Sequence, residues 1–245
     1  MPRANRYILP GYIYHLTHRC HDRKFLLKFA KDRDGYRRRL REAVRKHGLS
    51  LLSYNITSNH VHLIVFSDYV EQIAQVMQSA AGEFARDYNR RKKRRGAFWE
   101  GRYHATIVDS GEYLWECLKY VELNMVRCGV VQHPCEWEWS GYRELMGQRR
   151  RNCLLDVNKF LQLLGNPSLE EFREHFEDAL VEMIAKDQAK RQDQWTASLA
   201  VGSQEFIAEV EPKVRNRQQT KSVQNGNAWI LKEHYGSFFT PKRAP

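Results

Sequence analysis

The sequence predicts an α+β fold: a ferredoxin-like antiparallel sheet with helices on one face plus one further helix, followed by a mainly helical C-terminal region. Three observations predict it. Short β-rich runs alternate with longer runs of helical apolar spacing in the order β, α, β, β, α, β, α. The 245 residues are 42% hydrophobic and 12% aromatic, enough to build a core in one or two domains. After Gly147 the composition shifts, and helical spacing takes over.

Each element has its own signal. Tyr12 to His18 (YIYHLTH) is short and β-rich. Phe29, Tyr36, Leu40 and Val44 recur at helical spacing and predict a helix from about Lys31 to His47, with Gly48 where a C-cap glycine belongs. Leu49 to Ile56 and His60 to Phe66 are two strand-like runs separated by Thr57-Ser58-Asn59, the pattern of a hairpin. Val70 to Asn89 returns to helical spacing through Ile73, Val76, Met77, Ala80, Phe84 and Tyr88. His104 to Val108 is another short strand, and Tyr113 to Val126 is helical, with Leu114, Leu118, Val121 and Met125 on one side. Gln148 to Asn152 reads as a linker, dividing the chain into residues 1–147 and an auxiliary region, 148–245. There, Ser168-Leu-Glu-Glu171 is a capping box that opens a helix through about Lys186.

Charge narrows the function. With 40 Lys and Arg against 29 Asp and Glu, the net charge is +11, and it is unevenly placed. Residues 1–50 carry 14 basic and 4 acidic side chains, whereas residues 151–200 carry 6 and 9. An anionic partner meeting the N-terminal half is expected, and nucleic acid phosphates fit. The cations Arg37, Arg38 and Arg41 on the first helix, the run Arg90, Arg91, Lys92, Lys93, Arg94, Arg95, and Arg102 are the candidate contacts. Trp99, with Phe98 and Tyr103, is a candidate for stacking on unpaired bases. In the C-terminal region, Lys213 to Lys221 is the expected contact, because Glu170 to Asp187 is acidic. No apolar run approaches the ~18 residues of a membrane span, and Met1 to Arg6 leads into no signal region. The five scattered cysteines form no C-x-x-C pair. A cytoplasmic, nucleoid-associated protein without membrane segments is the expectation.

The candidate chemistry centres on His60-Val61-His62. Residues i and i+2 of a strand face the same way, so two imidazoles stand side by side, with Val61, Ile64 and Phe66 read as serving the other surface. A histidine pair can meet one metal and leave positions open for substrate oxygen. On the later helix, Glu116, Tyr120, Asn124 and Arg127 fall on one polar stripe of an otherwise apolar segment. A tyrosine facing a metal-polarised phosphate can act as a nucleophile, and an asparagine offers an oxygen as a third ligand.

These residues carry a resemblance. His60-Val61-His62, followed by Tyr120-Val-Glu-Leu-Asn124-Met-Val-Arg127, resembles the HUH single-strand DNA endonucleases of the one-tyrosine transposase type, and more closely the REP-associated tyrosine transposases. Phe98-Trp-Glu-Gly-Arg-Tyr103, Val108 to Leu114 and Glu136-Trp-Glu-Trp-Ser-Gly-Tyr-Arg143 match family segments in order and spacing. The resemblance covers roughly residues 5–147. It implies Tyr120 as catalytic nucleophile, His60, His62 and Asn124 as ligands of Mg2+ or Mn2+, and Arg127 beside the scissile phosphate. It further implies cleavage of single-stranded DNA next to palindromic hairpins, a 5′-phosphotyrosine link and action as a monomer or homodimer. Two departures stand out: Ser58 replaces a proline common in relatives, and Met125 follows Asn124 where proline is common. Without that proline, the helix is expected to run straighter or further.

A non-catalytic DNA or RNA hairpin binder is the alternative from another class. A replication initiator or relaxase of the wider HUH group would bring a helicase domain or a second catalytic tyrosine, and the chain offers neither clearly. A chain cut after about Gly147 is expected to keep cleavage and to change substrate choice.

Overall fold

The computed structural model describes residues 8–214 and 219–234. Met1 to Arg6 and residues 215–218 of the Lys213 to Lys221 span lie outside them. In chain order the elements are β1 (Tyr12–Arg19), α1 (Ala30–His47), β2 (Ser50–Ile56), β3 (His60–Ser67), α2 (Gln72–Met77), α3 (Glu83–Arg91), β4 (His104–Val108), α4 (Glu112–Glu122), α5 (Asn124–Arg127), α6 (Tyr142–Leu145), α7 (Val157–Leu163), α8 (Leu169–Ala185), α9 (Gln194–Ala197), β5 (Ala200–Gly202), α10 (Gln204–Val214), β6 (Gln219–Asn225) and β7 (Ala228–His234). Among the described residues, no helix is long and apolar enough to cross a membrane.

The first four strands pair in the order β2-β3-β1-β4, all antiparallel, which is the ferredoxin-like arrangement. The α1 and α2–α3 helices cover one face, where Tyr36, Leu40, Val76 and Phe84 pack on Tyr14, Leu16, Val61, Leu63 and Val65. A one-turn π-helical segment, Gln78–Gly82, joins α2 to α3, so the predicted single helix is continuous but locally widened. The α4 helix covers the opposite face, with Leu114, Leu118 and Val121 on Ile13, Ile64, Phe66 and Val108. Ile64 and Phe66 therefore share the face of His60 and His62, correcting the sequence reading; the two-residue period of a strand requires it. Gly48 ends α1 with φ 64°, as expected of a C-cap glycine.

Two features depart from expectation. The α4 helix stops at Glu122 instead of running on, and Leu123 (φ −76°, ψ 2°) separates it from α5. Asn55 on β2 donates its side-chain amide to the Val121 carbonyl at 2.9 Å, which ties down the last turn and replaces the missing proline as the local reason for a break. The C-terminal half supplies the expected helices, including the capping box of Ser168 and Glu171, but it also adds three strands. Strand β5 pairs parallel to β4 through Ile107↔Ala200 and Val108↔Val201, and β7 and β6 follow, making one mixed seven-stranded sheet. The sheet thus continues past residue 147. The segment 136–143 borders the other end: Ile56 N–H donates to the Trp139 carbonyl, and Gly141 N–H to that of Tyr54, which covers the edge of β2.

Gly202 ends β5 where a Cβ would lie 2.4 Å from Phe206 and 2.7 Å from the Asp109 Cβ. Gly202→Ala should therefore destabilise the protein by about 1–3 kcal/mol through overpacking at the junction of the two halves. Urea denaturation checks this; an unchanged midpoint would contradict the tight junction.

Candidate active site

Register brings the site together. On the α4 face, β1 sets Thr17 opposite His62 and Arg19 opposite His60, while β4 sets Thr106 opposite His15 and His104 opposite Thr17. The result is a band of polar side chains across the middle of a buried sheet face. His15, Thr17, His62 and Thr106 are all buried, and buried polar groups need partners. His15 Nε2 and His62 Nδ1 lie 2.8 Å apart, and His15 Nδ1 lies 2.7 Å from the Trp195 carbonyl. The Thr106 hydroxyl is 2.8 Å from the Ser198 carbonyl.

The helix residues converge on the same band. The Tyr120 ring lies edge-on to His62 at 6.0 Å and to His15 at 6.1 Å between centroids. Asn124, at the start of α5, donates its amide to His62 Nε2 at 3.1 Å, while its side-chain oxygen is buried with no partner among the described residues. Arg127 folds back so that its guanidinium lies over the Tyr120 ring at 4.3 Å. The break at Leu123 does not scatter the stripe, except that Glu116 turns away into an ion pair with Lys119. His60, His62, Tyr120, Asn124 and Arg127 are thus brought to one place. Among the described residues no three His, Cys, Asp or Glu side chains are arranged to hold a metal ion, so any metal here would rest on two imidazoles and an amide.

Electrostatics sets the protonation states. Burial holds His60 down at about 3, helped by Arg19 and Arg127, and drives His62 far below the usual imidazole range. His15 sits at about 4, again because of burial. All three rings are neutral at physiological pH. Burial raises the Tyr120 phenol above its ordinary value, and Arg127 and Arg191 oppose the rise without cancelling it. Tyr120 is therefore protonated in the resting protein, although nearby cations favour its phenolate.

Several neighbours were not anticipated from the sequence. Arg19 and Arg191 line a cleft of about 400 Å³ together with the predicted Arg102, and with Arg23 and Thr17. Trp195 packs against Tyr120. The signal for β1 was legible: His15, Thr17 and Arg19 repeat polar residues at period two, while Tyr14 and Leu16 face the other way. Arg191 and Trp195 had no comparable signal.

The predicted nucleic-acid contacts divide. Arg38 is exposed on α1, and Arg90 is exposed while pairing with Asp87; both line a groove of about 610 Å³ between α1 and α3. Lys92, Lys93 and Arg95 are exposed beyond α3. Arg37 is a correction: it pairs with the buried Glu144 at 2.7 Å and donates to the Tyr54 hydroxyl, so it braces the core instead of facing solvent. Arg41 binds the Asn152 side chain, Arg91 binds Asp32, and Arg94 donates to the Ala97 carbonyl. Trp99 stacks on His18 at 4.1 Å and donates to the Ala81 carbonyl, an internal setting. Lys213 is engaged with Glu209 and the Tyr12 hydroxyl.

The family model described as transposase IS200 like matches residues 9–124, somewhat less than half of the chain, and that segment is similar to the IS200-like transposases. Two solved structures are similar. One is a REP-associated tyrosine transposase bound to a REP hairpin, 15% identical with a TM-score of 0.49, the match covering 64% of this chain and 93% of that one. The other is a candidate transposase from Deinococcus radiodurans R1, 21% identical with a TM-score of 0.34, covering 44% and 87%. No curated protein matches.

Because unfolding exposes imidazoles to the protons that the fold excludes, stability should fall as pH drops below about 6.5. His15 alone, at about 4 in the fold, accounts for up to about 3 kcal/mol of that loss. Urea midpoints of metal-free protein between pH 7.5 and 4.5 should fall less steeply in His15→Gln than in wild type; equal slopes would contradict the assignment.

Proposed function

We propose that the protein is a metal-dependent single-stranded DNA endonuclease and strand transferase that cuts beside palindromic hairpins through a 5′-phosphotyrosine intermediate and rejoins the ends. The observation that carries the reading is the convergence of one phenol, two neutral imidazoles and an unpartnered amide oxygen on one buried band of the sheet. In this reading residues 1–147 carry the nucleophile and metal residues, and residues 148–245 are an auxiliary region.

The residues suit a divalent cation. Neutral imidazoles offer lone pairs, and an asparagine oxygen buried without a donor among the described residues is the kind of group that a hard cation satisfies. His60, His62 and Asn124 would hold Mg2+ or Mn2+, which when bound neutralises charge on the non-bridging phosphate oxygens.

The chain's own groups account for the rest. Tyr120 loses its phenolic proton, and its oxygen forms a bond to phosphorus. The bond from phosphorus to the 3′ oxygen breaks, and in the net balance the proton given up by Tyr120 ends on that oxygen, which leaves as a 3′-hydroxyl. Arg127, lying over the ring, stabilises the developing phenolate and holds the ring in line. Arg19, Arg102 and Arg191 in the adjoining cleft suit the phosphates next to the cut. The phosphotyrosine ester conserves the energy of the broken bond, so a 3′-hydroxyl can reverse the step without an external energy source. The exposed cations of α1 and of the stretch after α3 lie on the other side of the sheet and suit the sugar-phosphate backbone of a hairpin stem.

Wild-type protein incubated with hairpin-bearing single-stranded DNA and Mn2+ should give a denaturation-resistant adduct, visible by gel electrophoresis. Tyr120→Phe should abolish it, and His60→Ala or His62→Ala should reduce it about 100-fold or more. An adduct of wild-type yield from Tyr120→Phe would remove Tyr120 as nucleophile, and a protein that binds hairpins without an adduct would favour the non-catalytic reading. Arg127→Gln removes a charge that lowers the phenol's pKa. Its cleavage should be slower at neutral pH and its pH–rate profile displaced to higher pH, whereas an undisplaced profile would leave Arg127 no part in ionising the phenol.

A further inference from the structure

The hydrogen-bonding chain behind His62 fixes more than its place. A backbone carbonyl can only accept, so at 2.7 Å the Trp195 carbonyl takes the proton of His15 Nδ1. A neutral His15 then has a bare Nε2. At 2.8 Å that atom can only accept from His62, which must carry its proton on Nδ1. His62 is thereby left with its lone pair on Nε2, and this is the atom that the Asn124 amide approaches at 3.1 Å. The two rings lie nearly parallel, 9° between planes, and turning His62 over would break its contacts at both ring nitrogens.

The other histidine is set by a different device. His60 Nδ1 lies 2.7 Å from Asn59 Oδ1, an acceptor, so its proton is also on Nδ1 and its Nε2 is bare. That control is local to the hairpin. His62 depends on a residue 47 positions earlier and a carbonyl 180 positions away from that one.

We propose that His15 is a positioning residue: braced by the Trp195 carbonyl at α9, it holds His62 in the Nδ1-protonated tautomer with Nε2 aimed at the Asn124 side. The inference deepens the proposed function, since the aimed atom is the one expected to meet the metal, and the tautomer itself does not rest on that reading. It also gives the C-terminal region a task inside the site. The carbonyl comes from a segment held by Thr106 and His104, both within hydrogen-bonding distance of the Ser198 carbonyl, and by the pairing of β5 with β4. A chain cut after Gly147 would lack the brace.

The test reads the tautomer directly. In metal-free wild-type protein labelled with 15N-histidine, long-range proton–nitrogen correlation should assign His62 a protonated Nδ1 and a bare Nε2. His15→Phe fills the space without a nitrogen and should give a mixture of tautomers. Its affinity for Mn2+, read by titration calorimetry, should fall about 10- to 100-fold, the usual cost of removing a group that orients a metal-binding histidine. His15→Gln, whose amide oxygen can accept from His62 Nδ1, should recover the tautomer and most of the affinity.

A wild-type His62 protonated on Nε2 would overturn the proposal, as would a His15→Phe protein with the wild-type tautomer and affinity. The wild-type spectrum alone decides the matter if His15→Phe does not fold. Failure of wild type to bind Mn2+, with the tautomer still dependent on His15, would refute the metal reading and uphold the positioning role.

Discussion

The structure turns on a band of polar side chains buried in the middle of a sheet. Stripped of water, His15, Thr17, His62 and Thr106 would each cost free energy unless paired, by roughly 1–3 kcal/mol for every group left unsatisfied. Their partners come from three directions: neighbouring strands, the turn between α4 and α5, and the carbonyls of Trp195 and Ser198. The C-terminal half closes over the band and supplies acceptors that the first half lacks. The requirement to satisfy these groups links the sheet, the tyrosine helix and the tail in a single arrangement.

The same burial sets the chemistry. Desolvation keeps three imidazoles neutral and the Tyr120 phenol protonated, so the resting site carries little charge of its own. Arg19, Arg127 and Arg191 surround it with fixed positive charge. Under the proposed function such a site would receive an anion and a cation together, with the Tyr120 phenol held in its protonated form until then. The wider excess of basic residues has a different geometry. Part of it is consumed internally, by Arg37 on Glu144 and Arg91 on Asp32, and the exposed remainder lies along α1 and beyond α3.

Much of this was legible in the sequence. Strand boundaries followed from β-rich runs, α1 from its apolar spacing and Gly48, and the His60, His62, Tyr120, Asn124 and Arg127 constellation from period and motif. What escaped was non-local. Strand β5 has three residues, β6 (QTKSVQN) shows no apolar alternation, and both owe their place to pairing with strands far away in the chain. The end of α4 depends on an amide from β2, and the bracing carbonyl of Trp195 is backbone, invisible to any reading of residue types. Arg37 and Trp99 looked like surface contacts because composition cannot tell an exposed guanidinium from one buried against a carboxylate.

The central claim is that Tyr120 is the atom-bearing link between protein and DNA. Peptide mapping of the covalent product by tandem mass spectrometry tests it most directly, since trypsin releases residues 120–127 as one fragment containing a single tyrosine. After nuclease trimming, that fragment should carry a nucleotide mass on Tyr120. A nucleotide found on any other residue, or an unmodified 120–127 fragment from purified adduct, would contradict the account.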